Sequence, residues 1–397
     1  METLPVELRR DIVQHLAPED LKSIRLASKL WATLGEEYLI SPTFSALPYR
    51  GDLDRLESIS RNLKFCFRIT SLNLNHGEVN EYHARHNTYF LQYMQEPDDR
   101  LEAQSSTWAS YAELRELKDQ YLPEFFDFDR LVKIFSGLSN LESLEVTLMT
   151  CPFQEETHPY LLKDIWGIPS TRLLPRVATT ERFTILLTAL ASNISIISLK
   201  SVSHDRLPFE FFAQRLILIE QFSLVFRSLT SLKLTIDYSD MPNNLHYAKG
   251  FHNLFQCLSS PTSLRNLELA FLGRKKLDVS PLFSSFQEHG YAFPALQDLK
   301  LKGIATTEEE LCYFLKRQKT LKRLQLGGSG LRARHQTANG GVHLSKGSFR
   351  AVFESVNKEL SLESFMVQGD LIGLESGERW ILDKVDAQEN LKEYVTD

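Results

Sequence analysis

Two hydrophobic rhythms alternate along this chain. The first is Leu-x-x-Leu-x-Leu, at Ile69, Leu72, Leu74, then Leu141, Leu144, Val146, then Ile194, Ile197, Leu199, then Leu229, Leu232, Leu234. It continues at Leu264, Leu267, Leu269, at Leu296, Leu299, Leu301, at Leu321, Leu324, Leu326 and, more weakly, at Leu362, Phe365, Val367. Alternation over a few residues predicts a half-buried strand, with the residues between the apolar ones facing out. The second rhythm has apolar residues at i, i+3, i+4 and i+7, which predicts a helix with one buried face. It appears at Phe128, Leu131, Val132, Phe135, at Phe183, Leu186, Leu187, Leu190, at Phe251, Leu254, Phe255, Leu258 and at Phe349, Val352, Phe353, Val356. In three of these four the first phenylalanine stands thirteen residues before the first leucine of the following strand, and in the other eleven. Helix then strand is thus the repeating unit, and stacked units of this kind make a solenoid.

Upstream, Leu4 to Ile40 carries three short amphipathic patterns. Pro5 suits a first helical turn, and Leu8, Ile12 and Leu16 form one stripe. Pro18 restarts the chain, Glu19 and Asp20 favour a second helix start, and Leu21 and Ile24 supply its apolar face. Ala27, Trp31, Leu34 and Tyr38 continue at helical spacing. A unit this small buries too little surface to fold alone, since below roughly 40 residues a metal, a disulfide or a partner is usually needed. The stretch holds no cysteine or ligand set, so a protein surface is expected to do that job.

Between the two regions, Pro42 to Leu47 predicts a short strand and Asp52 to Asn62 a helix with Leu53, Leu56 and Ile59 on one side. The spacing of later units is irregular, mostly exceeding the roughly 20–29 residues of a regular leucine-rich repeat. Insertions are expected at about 75–127, aromatic-sprinkled and partly helical, and at about 151–180, where Pro152, Pro159, Pro169 and Pro175 exclude one long helix. Gly327, Gly328, Gly330, Gly340 and Gly341 mark a loop. A C-terminal cap from about 370 is expected, with a helix from Trp380. The fold class is α/β: a three-helix module over 1–41, then an irregular solenoid over 42–397 with a parallel concave sheet and helices on the convex side.

Composition changes this picture little. With 43% hydrophobic residues the chain can build a sizeable core, and a net charge of −6 argues against a chain-wide affinity for nucleic acid or anionic membrane. Cys66, Cys151, Cys257 and Cys312 form no C-x-x-C pair and no run is long enough to span a bilayer, so a reducing cytoplasmic or nuclear setting is expected.

The candidate chemistry is sparse. His76, His83 and His86 with Glu78 and Glu81 are the densest metal-like group, but they lack a second matched pair and read better as a solvated polar face. Gly327-Gly328-Ser329-Gly330 follows a strand without the Lys-Ser/Thr of a phosphate loop, and no nucleophile elbow is present. No catalytic residue, metal or cofactor is therefore expected. More informative are the outward strand positions: Ser71, Asn73, Ser143, Glu145 and Thr147 early, Ser231, Lys233, Asn266 and Glu268 midway, Lys300, Lys302, Arg323 and Gln325 late. The face grows more basic toward the C-terminus, and Lys300, Lys302 and Arg323 are candidate contacts to an acidic or phosphorylated protein client.

The residues Leu4-Pro5, Glu7-Leu8, Ile12, Leu16, Asp20-Leu21, Leu26 to Trp31 and Leu34 resemble the F-box, the motif by which substrate receptors join SCF-type (Skp–cullin–F-box) ubiquitin ligases. The passage EYLISPTFSALPYRGDLDRLESISRN and the divergent repeats behind it are similar to irregular F-box/leucine-rich-repeat proteins of fungi. The resemblance implies that Leu4, Pro5, Leu8, Ile12, Leu16, Leu21 and Trp31 dock on a Skp-family adaptor, or hold the helices that do, and reach cullin and RING subunits through it. It implies a non-catalytic substrate-recognition subunit whose repeats hold a client for ubiquitin-dependent degradation. The alternative is an interaction scaffold of the same architecture without ubiquitin transfer.

Overall fold

The computed structural model describes residues 4–36, 38–86, 90–92, 97–153, 160–168, 172–197, 199–239, 245–273, 276–328, 340–382 and 391. Helices α1 (Val6–Gln14), α2 (Pro18–Ile24) and α3 (Lys29–Glu36) lead the chain. A nine-stranded sheet follows, made of β1 (Thr43–Ala46), β2 (Ser71–Asn75), β3 (Ser143–Thr147), β4 (Ser201–Pro208), β5 (Ser231–Asp237), β6 (Asn266–Leu272), β8 (Asp298–Lys302), β10 (Arg323–Gly327) and β12 (Ser364–Gln368). Its strands lie side by side in chain order and every pairing is parallel.

One arrangement starts every strand of this sheet after β1. The carbonyl of the residue just before a strand accepts two N–H groups from the next unit: Pro42 from Thr70 and Ser71, Thr70 from Glu142 and Ser143, Glu142 from Lys200 and Ser201, and so on to Lys322 with Glu363 and Ser364, all at 2.7–3.1 Å. This ladder puts Leu72, Leu144, Val202, Leu232, Leu267, Leu299, Leu324 and Phe365 in one inward rung. A second inward rung is Leu74, Val146, His204, Leu234, Leu269, Leu301, Leu326 and Val367.

The convex layer contains α4 (Asp52–Ser60), α7 (Phe128–Gly137), α9 (Arg176–Ala191), α10 (Leu216–Phe226), α11 (Leu245–Ser259), α12 (Ser280–Glu288), α13 (Glu308–Lys316) and α14 (Phe349–Glu359). Asp127 and Ser348 cap two of them by accepting from Arg130 and Ala351 N–H, and Thr307 with Glu310 forms a capping box on a third. The predicted phenylalanine faces are buried in the shared core, Phe183, Phe251 and Phe349 almost completely, whereas Phe128 at the head of α7 remains exposed.

Four expectations need correction. The unit at Ile194, Ile197, Leu199 is out of frame: residues 192–196 are a turn, and Leu199, Val202 and His204 take the three positions. Helix α9 is followed by a longer joint than its neighbours, which let isoleucines in the turn imitate the motif. Second, the two insertions are not separate loops. The first holds α5 (Glu81–Arg85) and α6 (Pro97–Phe125), the second α8 (Tyr160–Gly167), and all three pack around one small core of Val79, Ala84, Phe90, Tyr111, Leu162, Ile165 and Trp166.

Third, a second sheet exists, in the order β14 (Arg379–Ile381), β13 (Asp370–Gly373), β11 (Val342–Leu344), β9 (Ile304–Thr306), β7 (Leu277–Asp278). Late units turn from the first sheet into the second through single glycines, Gly303 between β8 and β9 and Gly369 between β12 and β13, at φ of +71° and +77°. That backbone region is open to glycine at no steric cost. Fourth, Trp380 lies in β14, antiparallel to β13, so no helix begins there. Most residues beyond Leu382 fall outside the described set, as does the stretch 329–339 within the glycine loop.

Candidate functional site

Among the described residues the leading module has a small core in which Val13, Leu21 and Trp31 cluster, with Leu16, Ile24 and Tyr38 partly buried against them and Leu34 of α3 buried as well. Pro5 sits at the N-cap of α1 and Pro18 is the first residue of α2. Helix α1 turns Val13 inward, which leaves the Leu8 and Ile12 stripe facing solvent: Leu8 is 52% exposed and Ile12 37%. Val6, Leu26 and Leu30 are exposed as well, Leu26 at 89%. The predicted docking set therefore divides. Leu8 and Ile12 are open, Pro5 is exposed, Leu4 and Leu16 are half-buried, and Leu21 and Trp31 hold the helices together.

The second surface is the concave face of the nine-stranded sheet. Its register aligns Asn73, Glu145, Ser203, Lys233, Glu268, Lys300, Gln325 and Met366 in one outward rung. The rung beside it reads Ser71, Ser143, Ser201, Ser231, Asn266, Asp298, Arg323 and Ser364. Over β5 to β12 these residues floor an open groove of about 560 Å³. Apart from Glu145, the early half of the face is thus small and uncharged, and the late half carries most of the charge.

Most of that charge is matched across strands. Lys233 and Lys300 reach Glu268 from either side, at 3.8 and 3.2 Å. Arg323 forks onto Asp298, with Nη2 donating to Oδ2 at 2.6 Å, and lies 3.9 Å from Glu363. Asp298 also holds the Arg323 guanidinium above its ordinary range. Lys302 sits two residues beyond Lys300 and is half-buried. Burial, with the Lys300 charge adding to it, pulls its ammonium below the usual lysine range. The structure accordingly brings Lys300 and Lys302 together and sets Arg323 in a separate, neutralised pair. Sequence reasoning passed over Glu268 as a partner because it lies about thirty residues from Lys300, yet both occupy the second outward position of their motif, and that signal pairs them.

The histidine-rich group does not converge. His76 is buried at the end of β2 beside Phe126, and burial first, then the Arg182 and His204 charges, pull its ring down to about 3. His86 stacks on Tyr82 with centroids 4.3 Å apart, Glu81 pairs with Arg115 at 2.7 Å, and Glu78 pairs with Lys118. Among the described residues no three His, Cys, Asp or Glu side chains are grouped to hold a metal ion. Other buried charges serve the fold. Asp370 accepts from Lys276 Nζ at 3.0 Å, His343 Nε2 at 2.8 Å and Gly341 N at 3.0 Å, tying together three strands or strand entries of the second sheet. Burial opposes ionisation of Asp370, but these contacts outweigh it and hold the carboxyl below its ordinary range.

No family model matches the chain, and no curated protein matches it significantly. Among solved structures, the yeast Rad7–Elc1 complex crystal structure includes a chain similar over 96% of this chain and 91% of its own, at 13% identity and a TM-score of 0.30. An overlay that loose assigns no site residue. No helix among the described residues is long and apolar enough to cross a membrane.

Proposed function

We propose that this protein is a non-catalytic substrate-recognition subunit of an SCF-type ubiquitin ligase, active in the cytoplasm or nucleus. Its N-terminal module docks on a Skp-family adaptor and its concave face holds a protein client. The observation that carries the reading is the Leu8–Ile12 stripe, left open by a module whose own core is a handful of side chains. Exposed leucines and isoleucines on so small a unit cost stability unless a partner covers them. The F-box resemblance of the same residues names the partner. The receptor makes and breaks no bond itself: it raises the local concentration of client near the ubiquitin-carrying enzyme.

Co-purification with the adaptor tests this. Leu8→Asp with Ile12→Asp should lower adaptor capture by about thirtyfold or more, as loss of a central hot spot does. Leu4→Ala with Pro5→Ala should also weaken it. Wild-type recovery of adaptor by both double variants would refute the reading.

A further inference from the structure

We infer that Lys233, Lys300 and Lys302 seat one strongly anionic group of a bound polypeptide, and that Glu268 is the internal counter-ion which that group displaces. This rests on the client-holding role proposed above for the concave face.

The sheet register opposes Lys233 to Glu268 and Glu268 to Lys300, so the three lie on one rung of β5, β6 and β8. Both lysines lean on the same carboxylate, at 3.8 and 3.2 Å. Lys302 points to the same face two residues further along β8, and its stem lies against Gly328, where an added Cβ would meet Lys302 Cδ and Cε at 3.1 Å. Among the described residues no carboxylate stands within ion-pair distance of Lys302. Two ammonium groups therefore share one carboxylate and a third stands beside them without one, leaving a surplus of two positive charges in a concave surface that concentrates their field. Arg323 does not add to it, because Asp298 and Glu363 already neutralise that guanidinium.

The depressed ammonium of Lys302 agrees with a site short of negative charge. A phosphoryl group, with about two negative charges and three acceptor oxygens, supplies what is missing, and so does a pair of adjacent carboxylates. Lysines act as rotatable point charges without the planar fork of arginine, so they accept either shape. In the unliganded protein Glu268 holds two of the three lysines. The incoming anion competes with it, which makes Glu268 a brake on binding.

The test titrates the full chain by fluorescence anisotropy with three matched random-sequence peptide pools, centred on phosphoserine, on Asp-Glu and on Ser-Ala. At least one anionic pool should bind more tightly than the neutral one, and the better of the two identifies the source of the charge. Glu268→Gln keeps the side chain's shape and should tighten anionic binding about two- to fivefold, while Lys302→Met should loosen it by a similar factor. A purely solvated role for these lysines predicts no tightening in Glu268→Gln. Equal binding of all pools, or unchanged or weaker binding by Glu268→Gln, overturns the inference. Adaptor capture on the same samples separates the two levels: adaptor bound with unresponsive pools sinks this inference alone, and failure of the wild-type chain to capture adaptor sinks the proposed function.

Discussion

His204 occupies a place that leucine or valine holds in most other strands, fully buried between Val146 and Leu234 in the inward rung. Its Nδ1 accepts from the Arg206 N–H at 3.2 Å, while its Nε2 is buried without a hydrogen-bond partner. Burial pulls the ring down from 6.5 to about 3, so the native state refuses a proton that the unfolded chain takes up near pH 6.5. Between these values the unfolded state binds more protons, and stability rises with pH. The contribution is complete above about pH 7.5 and is lost progressively as pH falls below 6.5 toward 3. At 1.36 kcal/mol per pH unit, lowering the pH from 7.5 to 5.0 costs about 2 kcal/mol through this one ring. That figure depends on the unfolded value, since any native value well below 5 gives the same result.

His204→Leu restores the apolar rung. At pH 7.5 it removes an orphan donor, a gain of about 1–3 kcal/mol, and strands the Arg206 N–H, a loss of similar size, so stability there should change little. Its loss of stability from pH 7.5 to 5.0 should be smaller than the wild type's by about 2 kcal/mol. Urea unfolding at both pH values, followed by far-UV circular dichroism, measures the difference. Equal acid losses in the two proteins would mean that the native state accommodates the imidazolium, and the reasoning would be refuted.

Three further outcomes follow from the packing. Gly327→Ala should destabilise by more than about 1 kcal/mol, because φ is +77° there and the new Cβ would run into the Gln368 carbonyl oxygen; an unchanged melting temperature would contradict this. Asp370→Asn should cost roughly 3–5 kcal/mol by removing the buried charge on which Lys276, His343 and the Gly341 N–H converge, and the double change with Lys276→Met should recover part of the loss in a urea titration. Trp31→Ala should weaken adaptor capture indirectly by collapsing the module core, visible as faster proteolysis of residues 4–36, whereas Leu8→Asp should weaken capture without changing the cleavage rate.

The large sheet was legible because its strands announce themselves with alternating apolar residues, several of them after a helix of known face, and eight of nine strands stand where the pattern puts them. Strand β4 was misframed because His204 breaks the apolar alternation while Ile194, Ile197 and Leu199 imitate it nearby. The second sheet left little trace, since its strands are two to four residues long and single glycines replace the turns that usually mark a boundary. The joint core of the insertions depends on Tyr111 and Trp166 joining one cluster, a juxtaposition that no local pattern encodes. At the groove, the lysines and arginine could be placed on the outward face, but their carboxylate partners belong to neighbouring strands and required the register. In the module, helical spacing gave the stripe of Leu8 and Ile12 but not which way it faces, because Val13 competes for the inside.

Because a carbonyl ahead of each strand holds the first two N–H groups of the next unit, strand alignment is decided before the strand begins. Whatever follows its far end comes too late to shift it. The joints from helix to strand stay between four residues (227–230) and ten (61–70), while those from strand to helix range from five (47–51) to fifty-two (76–127). All large variation in length is thus confined to one rim of the solenoid. Such a chain can be rewritten along that rim, by descent or by loop grafting, while the lattice beneath keeps its spacing. Ten residues spliced into the joint between β5 and α11 should be carried silently, and the same ten placed between α10 and β5 should break the stack.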